Sequence, residues 1–294
     1  GRAPLRFVIG RGVLVAVMLA LGWGLGAVQF IPTLEAAQDN FRSDTASFQQ
    51  VLDWALPTRD AVQFVMPNVY GSPAQHSYLD VFSGQTISLT DTPTLNADGN
   101  PLTNTYWGVE RNYVEAALYV GILPLALALY GLVRRRTVHQ IILALLAVAS
   151  LTFMFGLPTY ALLYYGFPGI NQLHSPFRWV FPLTLCVAVL AGFGMESLVN
   201  GVEKWARRFG WALVAVGGLM LVALLISRLF YAQVAPLVER LFTSLALATQ
   251  AFSDTRMFYS VEFVNLAIFG AVTLLSGAIF LWRFVGAHGR APLR

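Results

Sequence analysis

Apolar residues fall along this chain in blocks, and the blocks are nearly free of charge. They run Gly12–Ile31, Ala116–Val133, Ile141–Leu157, Trp179–Met195, Phe209–Ile226 and Phe263–Trp282. The hydrocarbon layer of a bilayer, roughly 30 Å thick, takes about 20 apolar residues in helical form. A helix pairs its own backbone N–H and C=O groups, which lipid cannot do for it. The pattern predicts an all-α integral membrane protein of about six transmembrane helices, with a large irregular extracytoplasmic loop and short interfacial helices. The whole chain, residues 1–294, then forms a single membrane domain.

Residues 33–112 make the one large polar segment. Its first part, Thr33–Leu56, carries Leu34, Phe41, Phe48, Val51 and Leu52 at spacings that suit a helix near the interface. From Pro57 onward Pro67, Gly71, Pro73, Gly84, Pro93, Gly99 and Pro101 punctuate it, which predicts loop with short strands such as Thr86–Leu89. Two shorter polar segments, 158–178 and 232–261, lie on the same side of the alternating path. In the first, Thr159–Tyr165 reads as a short interfacial helix and Gly166–Pro176 as a turn; in the second, Val234–Phe252 is amphipathic. Pro124 and Pro182 are expected to bend their helices. Gly22-x-x-x-Gly26 and Gly192/Gly194 offer small-residue surfaces for close helix packing.

Charge fixes the orientation. Arg2, Arg6 and Arg11, then Arg134, Arg135 and Arg136, then Lys204, Arg207 and Arg208, then Arg283, Arg290 and Arg294 all fall on one side of the six-span path. The positive-inside pattern places that side, and both termini of this segment, in the cytoplasm. The net charge of +4 invites a nucleic-acid reading. Its distribution argues for topology signals instead, so no nucleic acid is expected as a partner. Membrane lipids are. Composition agrees, with 56% hydrophobic and 12% charged residues. The single cysteine, Cys186, excludes an intrachain disulfide and reads as a packing residue. The hexapeptide Gly1–Arg6 recurs as Gly289–Arg294, and we have no physical account of it.

Soluble-enzyme signatures are missing. The histidines His76, His139, His174 and His288 lack metal-ligand spacing, so no metal site is assigned, and no cofactor is implied. Asn96-Ala-Asp98-Gly99-Asn100 resembles the middle of a calcium loop, but Thr94 and Thr105 stand where its ends need carboxylates, so it reads as an Asx-Gly turn.

Three places carry candidate chemistry. Glu35, Asp39 and Arg42 share one helical face where the first span emerges, so the carboxylates suit a base and Arg42 an anionic group. A solvated ion pair is the ordinary alternative. Around the second, Gln172–Trp179, Arg178 opens a span beside Trp179, His174 and Pro176, where a guanidinium can hold a lipid-linked phosphate bidentately. Anchoring at the interface explains the same residues. Arg228, at the outer end of the fifth span, is explained by snorkelling.

Gln29–Glu35 (QFIPTLE), Met66–Pro73 (MPNVYGSP), Tyr119–Leu132 and above all Phe155–Leu198 together resemble the YfhO-like family of bacterial multispanning membrane proteins. The most specific piece is a Gly-x-Pro-x-Tyr turn, then a Pro-Gly-x-Asn turn, then Ser175-Pro-Phe-Arg-Trp179 leading into a span. The match covers about the first two-thirds of the chain and corresponds to the middle and later part of the longer family members, so the chain is expected to be a piece of something longer.

The resemblance implies a GT-C-type architecture in a bacterial cytoplasmic (inner) membrane. It implies glycosyltransferase chemistry, moving sugars from polyprenyl-phosphate carriers to cell-envelope acceptors. In that reading Arg178 contacts the carrier phosphate, with Arg42, Tyr70, Tyr164, Tyr165, His174 and Trp179 also on the substrate, while Glu35 and Asp39 flank the acceptor as candidate catalytic groups. The family's principal catalytic carboxylate belongs to an earlier outer loop. The alternative is a non-catalytic transmembrane subunit packed against partner subunits of a larger respiratory or photosynthetic complex. A transporter ranks below both, since no span carries a central charge.

Overall fold

A computed structural model describes residues 5–38, 46–91, 94–108, 113–114, 117–134, 136–167, 176–200, 203–245 and 247–287. The described residues are mostly helical. In chain order they form α1 (Leu5–Gln38), α2 (Phe48–Leu52), a hairpin of β1 (Ser77–Asp80) and β2 (Gln85–Ser88), and α3 (Ile122–Arg134). Then come α4 (Val138–Met154), α5 (Tyr160–Gly166), α6 (Val180–Asn200), α7 (Glu203–Leu229), α8 (Tyr231–Ser244), α9 (Ala248–Ala251) and α10 (Thr255–Ala287). Segments of 3-10 helix cover Thr58–Phe64 and Pro176–Trp179.

Among the described residues four helices are long and apolar enough to cross a membrane: Ile9–Pro32 in α1, Pro176–Asn200 in α6 with the turn before it, Lys204–Leu229 in α7, and Thr255–Trp282 in α10. The other two expected spans are shorter. Helices α3 and α4 have 13 and 17 residues, about 20 and 25 Å at a rise of 1.5 Å per residue. The block Ala116–Val133 loses its first third because the helix begins only after Gly121, whose φ of +92° is left-handed. Helix α4 is stopped sharply. Gly156 takes φ +59° and donates to the Phe153 carbonyl at 3.0 Å, while Leu157 donates to Thr152 at 3.0 Å, a Schellman ending. At the other end Thr137 and Gln140 form a capping box.

Pro124 and Pro182 do not sit where the sequence pattern suggested a bend. Each is the third residue of its α-helix, in the first turn, where proline is tolerated.

Helices pack as α3 and α4 against α6, and α7 against α10. Glycine sets how closely. A Cβ at Gly194 of α6 would collide with the Leu127 carbonyl of α3, and one at Gly131 would lie 2.9 Å from the Gly194 Cα. In the second pair, a Cβ at Gly217 would come within 2.5 Å of the Gly270 carbonyl oxygen, and one at Gly277 within 2.7 Å of that of Gly210. These two contacts are seven residues apart on each helix and run antiparallel, which lets the backbones meet along two helical turns. The expected Gly22-x-x-x-Gly26 surface does not pack: Gly22 and Gly24 face open space, and Gly26 meets only its own Phe30. None of α1's apolar window is buried. Where the two groups of helices meet, Tyr130 is wedged edge-on to Phe280 at 5.4 Å and against Phe209 at 5.7 Å.

A second apolar core lies off the end of the bundle. It joins Tyr70, Leu89, Leu102 and Trp107 of the polar segment to Phe242, Phe252, Met257 and Phe258 of α8–α10 and their connections. The expected irregular loop is therefore folded into a cap seated on the helices. Its strand falls at Gln85–Ser88, one residue from the expected Thr86–Leu89, paired antiparallel to Ser77–Asp80. The opposite end of the bundle gathers basic residues: the guanidinium groups of Arg134 and Arg208 approach the Trp205 ring at 5.8 and 5.7 Å.

Candidate functional site

The cap is fastened through the turn of the hairpin. Gly84 closes that turn at φ +70°, and the turn delivers Asp80 to the first turns of α10. Its carboxylate accepts from Arg256 Nη2 at 2.7 Å and Nε at 3.3 Å, from Ser83 Oγ at 2.8 Å, from Ser260 Oγ at 3.3 Å and from the Phe82 N–H at 3.1 Å. Burial would raise the Asp80 pKa; the Arg256 and Ser83 hydrogen bonds and the Phe82 amide outweigh it and hold the group at about 2.

Arg228, which the sequence left as a snorkelling residue, donates from Nε to the Val81 carbonyl at 3.0 Å and from Nη2 to Phe82 at 3.4 Å. The Phe82 ring lies between two guanidinium groups, 4.3 Å from Arg228 and 4.7 Å from Arg256. Tyr231 and Tyr259 complete its surroundings, and the Tyr259 hydroxyl shares a 2.8 Å hydrogen bond with Ser227. Asp80's oxygens are engaged by donors of both the cap and α10, so this constellation is a fastening.

Asn96 fastens the cap's other turn. Its Oδ1 accepts from the amides of Asp98 at 3.0 Å and Asn100 at 2.7 Å, and its Nδ2 donates to the Gln250 carbonyl at 2.9 Å. The calcium-like string is thus an Asx turn docked on α9.

Beside the cap's core lies a groove of about 230 Å³. The turn Val65–Asn68 forms one wall, Tyr119 and Ile122 another, and Asn265, Ile268, Phe269 and Val272 of α10 the third. The turn is shaped by short hydrogen-bonded steps: Met66 N–H to the Val62 carbonyl at 3.0 Å and Gly71 N–H to Asn68 at 2.8 Å. Gly71 needs its φ of +68°, and a Cβ there would collide with the Thr105 carbonyl. That is the physical reason for the glycine in MPNVYGSP.

The groove's polar end is Asn265. Its Nδ2 donates to the Asn68 carbonyl at 2.9 Å and, at the long distance of 3.5 Å, to Glu262 Oε2. Behind it, Glu262 Oε1 and the indole Nε1 of Trp107 are both buried, and the indole N–H is a hydrogen-bonding neighbour of the carboxyl. Sequence reasoning missed Glu262 and Asn265. They lie at the head of the last apolar block, and only the folding of residues 65–107 onto α10 gives them a role.

The residues expected at a site divide between two places. Tyr164, Tyr165 and Trp179 come together around α2: Tyr164 donates to the Ala46 carbonyl at 2.5 Å, its ring is edge-on to Phe48 at 5.1 Å and to Tyr165 at 4.8 Å, and Trp179 is edge-on to Phe153 at 4.9 Å. Tyr165 and Arg178 are exposed there. Tyr70 is instead in the cap's core, with its hydroxyl donating to the Arg59 carbonyl at 3.0 Å and its ring edge-on to Trp107 at 4.8 Å. Burial raises its phenol pKa above the ordinary value. Glu35 is exposed near the end of α1. Asp39, Arg42 and His174 lie outside the described residues. Among the described residues no group of three or more His, Cys, Asp or Glu side chains is placed to hold a metal.

No protein-family model, curated protein or solved structure matches the chain.

Proposed function

We propose that this chain is the membrane-embedded part of a lipid-handling transferase of the GT-C type. It would act on the extracytoplasmic side of a bacterial cytoplasmic membrane and take sugar from a polyprenyl-phosphate carrier. In this reading α3 and α4 are short spans completing six, and the cap faces outward. The observation that carries it is the groove: an apolar trough walled by Ile122, Ile268, Phe269 and Val272, opening where a folded polar cap meets membrane helices. Its volume of about 230 Å³ falls below the roughly 300–1,000 Å³ of small-molecule pockets. Its largely apolar lining suits a stretch of lipid chain.

Arg178 and the Tyr164–Tyr165–Trp179 cluster supply the other half, with a guanidinium at a helix start for the carrier's phosphate. Glu35 and Asp39 remain the candidate carboxylates for deprotonating an acceptor. The test is sugar transfer from a polyprenyl-phosphate-linked radiolabelled donor by the complete protein. Arg178→Ala should lose transfer roughly tenfold or more, the scale of one charge-assisted hydrogen bond. Unchanged turnover in a folded variant removes Arg178 from the site, and no turnover by the unaltered protein overturns the reading.

One observation favours a second reading, a non-catalytic subunit of a larger membrane complex. Helix α1 buries none of its apolar window against this chain, which leaves it free to pack on other subunits. Stoichiometric co-purification with such a complex from native membranes would select it.

A further inference from the structure

We propose that the groove beside α10 binds a lipid whose head is an uncharged, hydroxyl-bearing group, which makes it the acceptor side and not the carrier-phosphate side. The inference rests on the reading of the groove as a lipid site and adds the class of lipid.

The argument starts from Asn265. Its amide nitrogen lies within reach of two oxygens: it donates to the Asn68 carbonyl at 2.9 Å and stands 3.5 Å from Glu262 Oε2. Two acceptors at one end of the amide fix which end is nitrogen. What the side chain has left to offer is Oδ1, an acceptor. A ligand head meeting it must donate a hydrogen bond.

Charge complementarity points the same way. No Lys, Arg or His is among the residues lining the groove, whose polar side chains Asn68, Tyr119 and Asn265 are all uncharged, and a phosphate in a half-enclosed apolar trough needs a cation to offset its charge. Glu262 sits directly behind Asn265 and supplies no cation. The chain's candidate phosphate ligand, Arg178, belongs to the separate cluster around Trp179. A hydroxyl satisfies Oδ1, and its chain covers Ile268, Phe269 and Val272. A transferase needs such a hydroxyl as nucleophile: its oxygen bonds to the sugar's anomeric carbon, that carbon's bond to the carrier phosphate breaks with the phosphate leaving, and the hydroxyl proton passes to a carboxylate base.

Photolabelling tests this directly. The complete protein in nanodiscs is exposed to a diazirine-bearing long-chain alkanol, to its methyl ether and to the alkyl phosphate of the same chain. Adducts are counted by mass spectrometry on the peptides holding residues 65–68 and 268–272, normalised to the lipid-facing surface of α1. The alkanol should label the groove about tenfold more than the phosphate and several-fold more than the ether, the worth of about one buried hydrogen bond. Asn265→Leu should erase the alkanol's advantage over the ether while chain labelling persists. Equal labelling by phosphate or ether overturns the inference and leaves the lipid groove standing. No groove labelling by any probe removes both. The head-group comparison on the unaltered protein decides the matter even if Asn265→Leu fails to fold.

Discussion

Asp80 and Arg256 stand 176 positions apart and meet through two hydrogen bonds, the shorter 2.7 Å. That contact ties the turn of the cap's hairpin to the start of the last long helix. It links a segment the sequence marks as irregular loop to one it marks as membrane span, and the groove exists only because the two are held together.

Removing the carboxylate should loosen the cap more than the bundle. In Asp80→Ala the Ser83, Ser260 and Phe82 donors lose their shared acceptor, at a cost of about 1–3 kcal/mol for groups left unpaired. Limited proteolysis should then cut within residues 77–88 at protease levels that leave the unaltered protein intact, while α7 and α10 stay protected. Equal resistance of the two proteins would show that the cap is held without Asp80.

The same contact gives a pH dependence with a definite sign. The folded Asp80 carboxyl is held at about 2, below the ordinary 3.8. A depressed carboxyl stabilises the fold fully above its unfolded value, and the contribution fades as pH falls through the folded one. Hydrogen exchange in residues 77–88 should therefore be flat from neutral pH down to about 4, after correction for intrinsic rates, and rise between about 4 and 2. In Asp80→Asn that rise should be absent. A rise centred near pH 6 would assign the latch to another group.

Close helix packing makes neighbouring glycines behave differently. Gly217 is buried against the Gly270 carbonyl, whereas Gly218, the next residue, meets nothing within 4 Å. Gly217→Ala should lower thermal stability in detergent by about 1–3 kcal/mol through overpacking at the α7–α10 crossing. Gly218→Ala should be neutral or slightly stabilising, since alanine loses less backbone entropy in a helix. Equal effects would mean that the two helices can slide apart at little cost.

Much of the architecture is legible in the hydrophobic blocks. Runs such as Phe209–Ile226 and Phe263–Trp282 became long helices because nothing in them interrupts a helix. Ala116–Val133 did not, because the left-handed Gly121 defers the helix and apolarity alone does not reveal that. Glycine patterns misled in the same way. Gly22 and Gly26 have the spacing of a packing motif and face open space, whereas Gly217 and Gly270, separated in sequence, carry a backbone contact. A small residue permits close approach, but only a partner helix makes use of it. The site was least legible where function depends on long-range folding. Nothing local to Glu262, Asn265 or Asn68 marks them, since their shared hydrogen bonds span 197 positions in one case. Tyr164 and Trp179, by contrast, sit near one another along the chain and were grouped from the aromatic turn itself.

Orientation is the last prediction and the one on which the proposed chemistry depends. Arg134 and Arg208 gather at Trp205, at the start of α7, while α7's other end passes into α8 under the cap. Basic residues favour the cytoplasmic side of a membrane, so the cap is predicted to face outward. Cysteine scanning can read this without removing the native thiol, because Cys186 is only 1% exposed. Asp98 and Arg136 are exposed at opposite ends of the bundle. A membrane-impermeant maleimide should modify Asp98→Cys in intact cells and Arg136→Cys only after permeabilisation. The reverse pattern would put the cap and its groove in the cytoplasm, where a carrier-linked sugar on the outer face is out of reach, and the transferase reading would fail with it.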